Sequence, residues 1–294
     1  MSSVESVPID FSEHTTLPKI TKKKLVYGPR PNEETYFSQN KLYSKKQVIG
    51  LYLAPAMMNA LAYVGFFKAL EEYKSELNLS VLSGSGWGGL LSAYYSLGER
   101  SSQMEWRFFQ MFSNLSKSIN RWDSSQRKDS IEAYFLKNLK GKKIQTLPKQ
   151  LILPLFNPRK RKLEYFSRGK LYSKIKKSLM LSSKSFLTTP IGKNALNLEL
   201  YKKWGVDKLI CVSALGDDLK MNFPDGHIEG IFSKEIAFLD RAKCSLKIKL
   251  SSSLNSLDAN VMNREILKSS YKTSKEKLKR WFQNLQQKPN IERP

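Results

Sequence analysis

The stretch Val81-Leu82-Ser83-Gly84-Ser85-Gly86-Trp87-Gly88-Gly89-Leu90 decides how the rest of the chain is interpreted. The apolar run that enters it, Leu79 to Leu82, predicts a buried strand. Four glycines then crowd one sharp turn. An apolar stretch rich in helix formers follows, and Gly98 is placed to end it. The stretch therefore predicts a strand, a tight glycine turn and a helix in immediate succession.

A strand, a tight turn and a helix form the layout of a nucleophile elbow, whose motif is G-x-S-x-G. The five residues here are Gly84-Ser85-Gly86-Trp87-Gly88, so the frame is present but the central side chain is missing. Glycine at the tip, Gly86, also relieves the strain that this turn imposes on other residues. The stretch indicates the architecture of a hydrolase more strongly than hydrolysis. If the motif is aligned one residue earlier in the sequence, Ser85 takes the nucleophile position, although no base is evident near it in the sequence.

The composition of the chain indicates its class of protein and the compartment in which it is expected. The chain has 294 residues, of which 40% are hydrophobic, enough for the core of one large α/β domain. Neither a membrane-spanning apolar run nor a signal peptide is evident, so cytoplasmic residence is expected. Cys211 and Cys244 lie in apolar strand-like runs and are interpreted as buried thiols, with no disulfide. With two histidines and two cysteines in all, no metal site and no cofactor are expected.

The charge of the chain is strongly basic. The formal net charge is +24, and Lys137 to Lys184 contains fifteen Lys or Arg residues and one acid, Glu164. Such a field favours an anionic lipid surface, an acidic protein or nucleic acid as partner. The alternative is a Lys-rich chain whose exposed faces are simply basic. The candidate anion-binding residues are Arg159, Lys160, Arg161, Lys162, Lys174, Lys176 and Lys177.

The remaining segments predict an α/β domain. Residues 1–45 are polar and proline-containing, which indicates an extended N-terminal arm; residues 46–288 form the domain and 289–294 a tail. The order of apolar runs and helical patterns predicts a mainly parallel central sheet with covering helices. Strands are predicted at 48–53, 79–82, 151–153, 163–166, 208–212 and 245–250. Helices are predicted at 61–70, 90–97, 102–112, 131–139, 171–181, 196–204, 233–241 and 260–286.

Four stretches, in this order, resemble the patatin-like phospholipase family over about residues 46 to 288. Leu61 to Glu72 is similar to the family's first helix, and Val81 to Leu90 to its elbow. Tyr165 to Leu171 resembles the strand and helix start ahead of its second catalytic segment. Asn197 to Leu200 with Gly205 to Val212 resembles the helix and strand that follow. The resemblance implies a three-layer α/β/α fold and, for the family, lipid acyl hydrolysis by a Ser–Asp dyad with a glycine-rich oxyanion loop.

At the positions where this resemblance places the chemistry, the residues depart from the family's pattern. The nucleophile position is Gly86, and the aspartate position, counted back from Asn197, is Ile191. Glycine offers no oxygen and isoleucine accepts no proton. Losing one member of a catalytic triad costs on the order of 10⁴–10⁶ in rate. The oxyanion loop corresponds to a stretch without the family's glycines and arginine: Ala54, Pro55, Ala56, Met57, Met58 and Asn59.

These observations predict a catalytically inactive patatin-like protein that acts by binding, as a scaffold or regulator. Its expected partners are an anionic lipid surface, at the inner face of the membrane, an acidic protein or an active patatin-like relative; no oligomeric state is implied. One alternative is an active lipid acyl hydrolase with a displaced serine. Another is a nucleic-acid-binding protein, which the lack of a recognised motif and of an aromatic platform disfavours.

Two further features leave alternatives open. Trp87 could plug a substrate cleft, anchor a partner or pack in the core. Asp225-Gly226-His227 is interpreted as a β-turn, with a catalytic element as the alternative.

Overall fold

The computed structural model describes residues 47–56, 58–116, 129–157, 160, 162–179, 196, 198–214, 243–250 and 259–287. The arm predicted over residues 1–45, the tail over 289–294 and the helix predicted over 233–241 lie outside this part of the chain.

Within the described residues, six strands form one sheet in the order β4-β3-β2-β1-β5-β6. Neighbouring strands are parallel, except that β3 and β4 form an antiparallel hairpin. The strand order reverses between β1 and β5, so the carboxyl ends of these two strands flank a topological switch point, where open α/β sheets bind ligands. The strands are β1 Val48–Leu53, β2 Asn78–Gly84, β3 Gln150–Asn157, β4 Lys162–Phe166, β5 Lys208–Ser213 and β6 Leu246–Lys249.

The helices agree closely with the predicted pattern. They are α1 Leu61–Glu71, α2 Trp87–Ser96, α3 Ser101–Ser116, α4 Leu171–Ser178, α5 Leu198–Lys203 and α6 Ala259–Gln287. The helix predicted over 131–139 is π-helical at Glu132–Leu136 and a 3-10 helix at Lys137–Leu139. Further 3-10 turns lie at Met58–Ala60 and Ile144–Thr146. None of the helices described is both long enough and apolar enough to cross a bilayer.

The sheet is buried on both faces. Strand side chains alternate between the two faces of the sheet. Leu51 contributes to the larger core, which lies beneath α1, α2, α3, α4 and α6. Its neighbour Tyr52 points to the other side of the sheet. There a smaller core includes Val81, Cys211 and Tyr201 of α5. The predicted α/β class, with three layers and a mainly parallel sheet, is therefore confirmed.

The helix α6 is held against α1 by close backbone contact and by a polar cluster. A Cβ atom at Gly65 would lie 2.8 Å from the Leu267 carbonyl oxygen, so only glycine lets the two helices approach this closely. Beyond the end of α1, Glu72 accepts a hydrogen bond from Tyr271 and lies 2.9 Å from Lys275 Nζ. Both contacts fix α6 as part of the larger core.

A disulfide joins Cys211 to Cys244, with Cα atoms 6.0 Å apart. The prediction of two separate buried thiols was wrong. The cysteines are 33 residues apart in sequence, and the pairing of β5 with β6 brings them together. Disulfides persist mainly in oxidising compartments, so this bond does not support the cytoplasmic residence expected from the sequence.

Acid is expected to weaken the contact between α4 and the π-helical segment. Burial alone would raise the pKa of Glu132, but hydrogen bonds from Tyr172 and Lys176 hold that pKa below its usual value. A lowered folded-state pKa contributes stability above the unfolded value, about 4.3, and this contribution is lost as pH falls through the folded pKa. Replacing Glu132 with Gln should cost about 1–3 kcal/mol at pH 7 and reduce the acid sensitivity below about pH 4.

Urea denaturation between pH 3 and pH 7 measures this effect. The matched control is Glu199→Gln, because Glu199 forms an exposed pair with Lys202 and should change stability by less than about 0.5 kcal/mol. An unchanged acid profile in Glu132→Gln would show that the carboxylate does not stabilise this contact.

Candidate functional site

The turn after β2 has the backbone shape of an elbow. Gly86 has φ 54° and ψ −124°, and α2 begins at the next residue. A residue with a side chain is strained at this φ, whereas glycine adopts it freely. The structure thus places Gly86 at the tip of the turn, at the carboxyl edge of the sheet.

Gly84 and Gly88 let the elbow pack directly on two strands. A Cβ atom at Gly84 would lie 2.5 Å from the Gly88 carbonyl carbon. A Cβ atom at Gly88 would lie 2.5 Å from the carbonyl oxygens of both Leu53 and Ala54. Any side chain at these two positions would therefore push α2 away from β1 and β2.

The Ser85 hydroxyl points away from the tip, into the smaller core. The residue is fully buried, and its Oγ lies 3.4 Å from the Tyr52 hydroxyl. Its backbone N–H donates to the Leu53 carbonyl at 3.1 Å. In the part of the chain that the structure describes, no carboxylate or imidazole hydrogen-bonds this hydroxyl.

A second serine, to which no sequence motif points, reaches the elbow from α4. The Gly86 N–H donates a hydrogen bond of 2.9 Å to Ser178 Oγ, and both groups are buried. Ser178 is the last residue of α4 and lies 92 residues from Gly86 in sequence. Because no sequence motif connects these positions, only the fold reveals the contact.

In the loop after β1, neither Ala54 nor Pro55 offers a free N–H to an oxyanion. The Ala54 N–H donates to the Val212 carbonyl at 2.9 Å, and Pro55 has no N–H. The Ala54 carbonyl accepts a hydrogen bond of 2.7 Å from the Tyr63 hydroxyl. Ala56 and Asn59 are also buried. Met57 lies outside the described residues, and Met58 lies in the 3-10 turn.

Other predicted site residues are not among those described. Ile191 and the segment Asp225-Gly226-His227 lie outside the described residues. Among the residues it does describe, no group of three or more His, Cys, Asp or Glu side chains could hold a metal ion.

Trp87, next to the tip, packs in the aromatic part of the core. Its ring centroid lies 5.6 Å from that of Phe108 and 5.5 Å from that of Phe135, the latter at an interplanar angle of 87°. Of the three interpretations left open for this residue, core packing matches these contacts.

Several candidate anion-binding residues already have partners within the chain. Lys160 pairs with Glu164 at 3.2 Å, and Lys176 pairs with Glu132 at 3.1 Å. Lys174 Nζ lies 3.3 Å from the centroid of a phenylalanine ring, and burial lowers its pKa. Lys162 is exposed and Lys177 is half-buried, whereas Arg159 and Arg161 lie outside the described residues.

A cavity of about 450 Å³ lies along α3, and no residue of the elbow lines it. It is lined by polar residues and by Trp106, whose exposed fraction is 62%. The sequence did not single out this surface.

Removing the Ser178 hydroxyl is expected to destabilise the fold. In Ser178→Ala the buried Gly86 N–H loses its acceptor, which should cost about 1–3 kcal/mol in the free energy of unfolding. The matched control is Ser96→Ala, because Ser96 is equally buried and its Oγ has no hydrogen-bond partner among the described residues. Chemical denaturation compares the two variants; equal stability would mean that the Ser178 contact contributes nothing.

Several solved structures are similar to this chain. VipD from Legionella pneumophila matches with 11% identity and a TM-score of 0.42, over 81% of this chain and 67% of that one. The type III effector protein ExoU matches with 14% identity and a TM-score of 0.41, over 79% and 53%. ExoU in complex with SpcU, from the type III secretion system of Pseudomonas aeruginosa, matches with 13% identity and a TM-score of 0.44, over 82% and 54%. The chain thus spans 53–67% of the length of these proteins. No protein-family model and no curated protein matches the sequence.

Proposed function

We propose that the chain is a catalytically inactive patatin-like protein that acts by binding, as a scaffold or regulator at an anionic membrane surface. The observation that carries this proposal is Gly86. It occupies the tip of an elbow-shaped turn, has no side chain to attack a substrate, and its N–H is already bonded to Ser178.

The backbone around the tip supports the same conclusion. Acyl transfer needs N–H groups aimed at the developing oxyanion, and losing one donor costs about 10²–10³ in rate. The N–H groups of Ala54 and Gly86 are bonded to protein acceptors, and Pro55 has none. None of these three positions therefore offers a free N–H group to an oxyanion.

The contacts of Ser85 speak against the alternative of a displaced nucleophile. A serine is activated by an adjacent base such as an imidazole. The hydroxyl group described next to Ser85 Oγ belongs to Tyr52, and the serine is fully buried in the smaller core. A substrate could not reach this buried hydroxyl without displacing the residues that cover it.

The binding role rests on the positive charge of region 137–184. Basic residues near an anionic membrane contribute about 1 kcal/mol each. Of the described lysines in this region, Lys137, Lys142, Lys143, Lys162 and Lys170 are exposed and form no ion pair with a described carboxylate. That leaves a surface charge for a partner to neutralise.

Flotation of the full chain with phosphatidylcholine vesicles, with and without 30% phosphatidylserine, tests the membrane role. We expect recovery with the anionic vesicles at low salt, weaker recovery at high salt because exposed charges are screened, and little with neutral vesicles. Equal recovery with both compositions would contradict electrostatic binding. Salt-sensitive binding to duplex DNA with no vesicle binding would favour the nucleic-acid alternative.

A further inference from the structure

Two lysines face each other across an isolated antiparallel bridge between two turns. Lys143 pairs with Lys170. The Ile144 N–H donates to the Gly169 carbonyl at 2.9 Å, and the Leu171 N–H donates to the Lys142 carbonyl at 3.0 Å. These hydrogen bonds flank the pair instead of joining it. The two lysines therefore form a non-hydrogen-bonded pair, with Cα atoms about 4.5 Å apart and side chains on the same face.

This arrangement places uncompensated positive charge at one point. Lys143 and Lys170 are both exposed, and like charges directly opposite each other destabilise a strand pair. The two carboxylates in the described residues between 132 and 179 already have other partners: Glu132 pairs with Lys176, and Glu164 with Lys160. No described carboxylate lies within ion-pair distance of either bridge lysine.

We propose that Lys143 and Lys170 together bind the phosphate of an anionic lipid headgroup. A phosphate placed between the two ammonium groups accepts hydrogen bonds from both and replaces their repulsion by attraction. Lys142, which is exposed, precedes Lys143 and adds positive charge beside the pair. The inference rests on the proposed membrane role and names the part of region 137–184 that contacts the lipid.

The lysine pair and the elbow lie at opposite ends of the helix α4. The elbow follows the carboxyl end of β2. Lys143 precedes the amino end of the parallel strand β3, and Lys170 follows the carboxyl end of the antiparallel strand β4. The helix α4 starts beside the pair and ends at Ser178, which contacts Gly86. Eight residues, about 12 Å, therefore separate the lysine pair from the Ser178–Gly86 contact. The proposed phosphate site is therefore distinct from the elbow, as suits a protein that binds lipid without hydrolysing it.

The compactness of the pair favours a lipid headgroup over nucleic acid. A duplex presents phosphates along its whole length, and proteins that bind it typically neutralise several of them along an extended surface. The bridge instead concentrates two ammonium groups at a single point, which matches one phosphate at the surface of a bilayer.

The test compares the double variant Lys143→Gln/Lys170→Gln with the charge-matched control Lys202→Gln/Lys203→Gln, both in the full chain. Lys202 and Lys203 are exposed on α5, on the other face of the sheet. Vesicles contain phosphatidylcholine alone or with 20% phosphatidic acid. We expect the bridge variant to bind the acidic vesicles about 30-fold more weakly than wild type, and the control variant to bind within about threefold.

The outcomes separate this inference from the membrane role. If wild type binds acidic vesicles and both double variants bind equally well, the lysine pair is not the site, although the membrane role stands. If wild type binds no acidic vesicles, the membrane role itself fails. Thermal shifts with inorganic phosphate form the second arm. A shift that depends on the lysine pair, without vesicle binding, would assign the site to free phosphate and overturn the lipid proposal.

Discussion

Replacing Gly88 with alanine is expected to destabilise the protein by about 3 kcal/mol or more, enough to reduce the yield of folded chain sharply. The added Cβ would lie 2.5 Å from the Leu53 and Ala54 carbonyl oxygens, so either β1 or the first turn of α2 must shift. Both oxygens belong to the backbone at the carboxyl end of β1 and cannot move as a flexible side chain does. Thermal and urea denaturation measure the loss.

The control for this variant is Gly98→Ala. Gly98 has φ 89°, and a Cβ atom there would have no neighbour within 4 Å. Its replacement costs only the strain of a left-handed residue, about 1–2 kcal/mol. If Gly88→Ala were no less stable than Gly98→Ala, the result would contradict the close packing of the elbow on β1.

Removing the disulfide is expected to lower the free energy of unfolding by about 4 kcal/mol. The bond closes a loop of 33 residues, and the chain entropy that it removes from the unfolded state grows with loop length. The double variant Cys211→Ser/Cys244→Ser and reduced wild type should unfold at similarly lowered urea concentrations, measured with and without reductant.

The double variant is also the control for the reductant, which should not change its stability. Thiol titration of denatured, unreduced wild type should find no free thiol. Two free thiols per chain, together with equal stability of wild type and double variant, would contradict a structural disulfide.

The regular elements could be predicted because their signals are local. The run Val48–Leu53 forms β1 at the predicted residues, and the helix predicted over 260–286 is α6, Ala259–Gln287. Each depends on apolar periodicity within a short window. The glycines at 84, 86 and 88 also predict structure within a short window, because a sharp turn packed against a strand leaves no room for side chains. The elbow could therefore be predicted from its own five residues.

Contacts between distant parts of the chain could not be predicted in this way. The Gly86–Ser178 hydrogen bond depends on where α4 ends relative to β2. The Cys211–Cys244 bond depends on the pairing of β5 with β6. Lys143 and Lys170 are 27 positions apart in the sequence and meet only because the two turns pair. The basic composition predicted a charged surface, but several of its lysines, such as Lys176, have carboxylate partners that the sequence did not indicate.

Labelling with a serine-directed fluorophosphonate probe, with anionic vesicles present, tests the absence of a working nucleophile most directly. We expect no labelling of wild type above that of heat-denatured protein, because the tip of the elbow is Gly86 and no described carboxylate or imidazole hydrogen-bonds the buried hydroxyl of Ser85. Labelling of wild type that disappears in Ser85→Ala or in Ser178→Ala would contradict the proposed lack of a nucleophile and identify the chain as an active serine hydrolase.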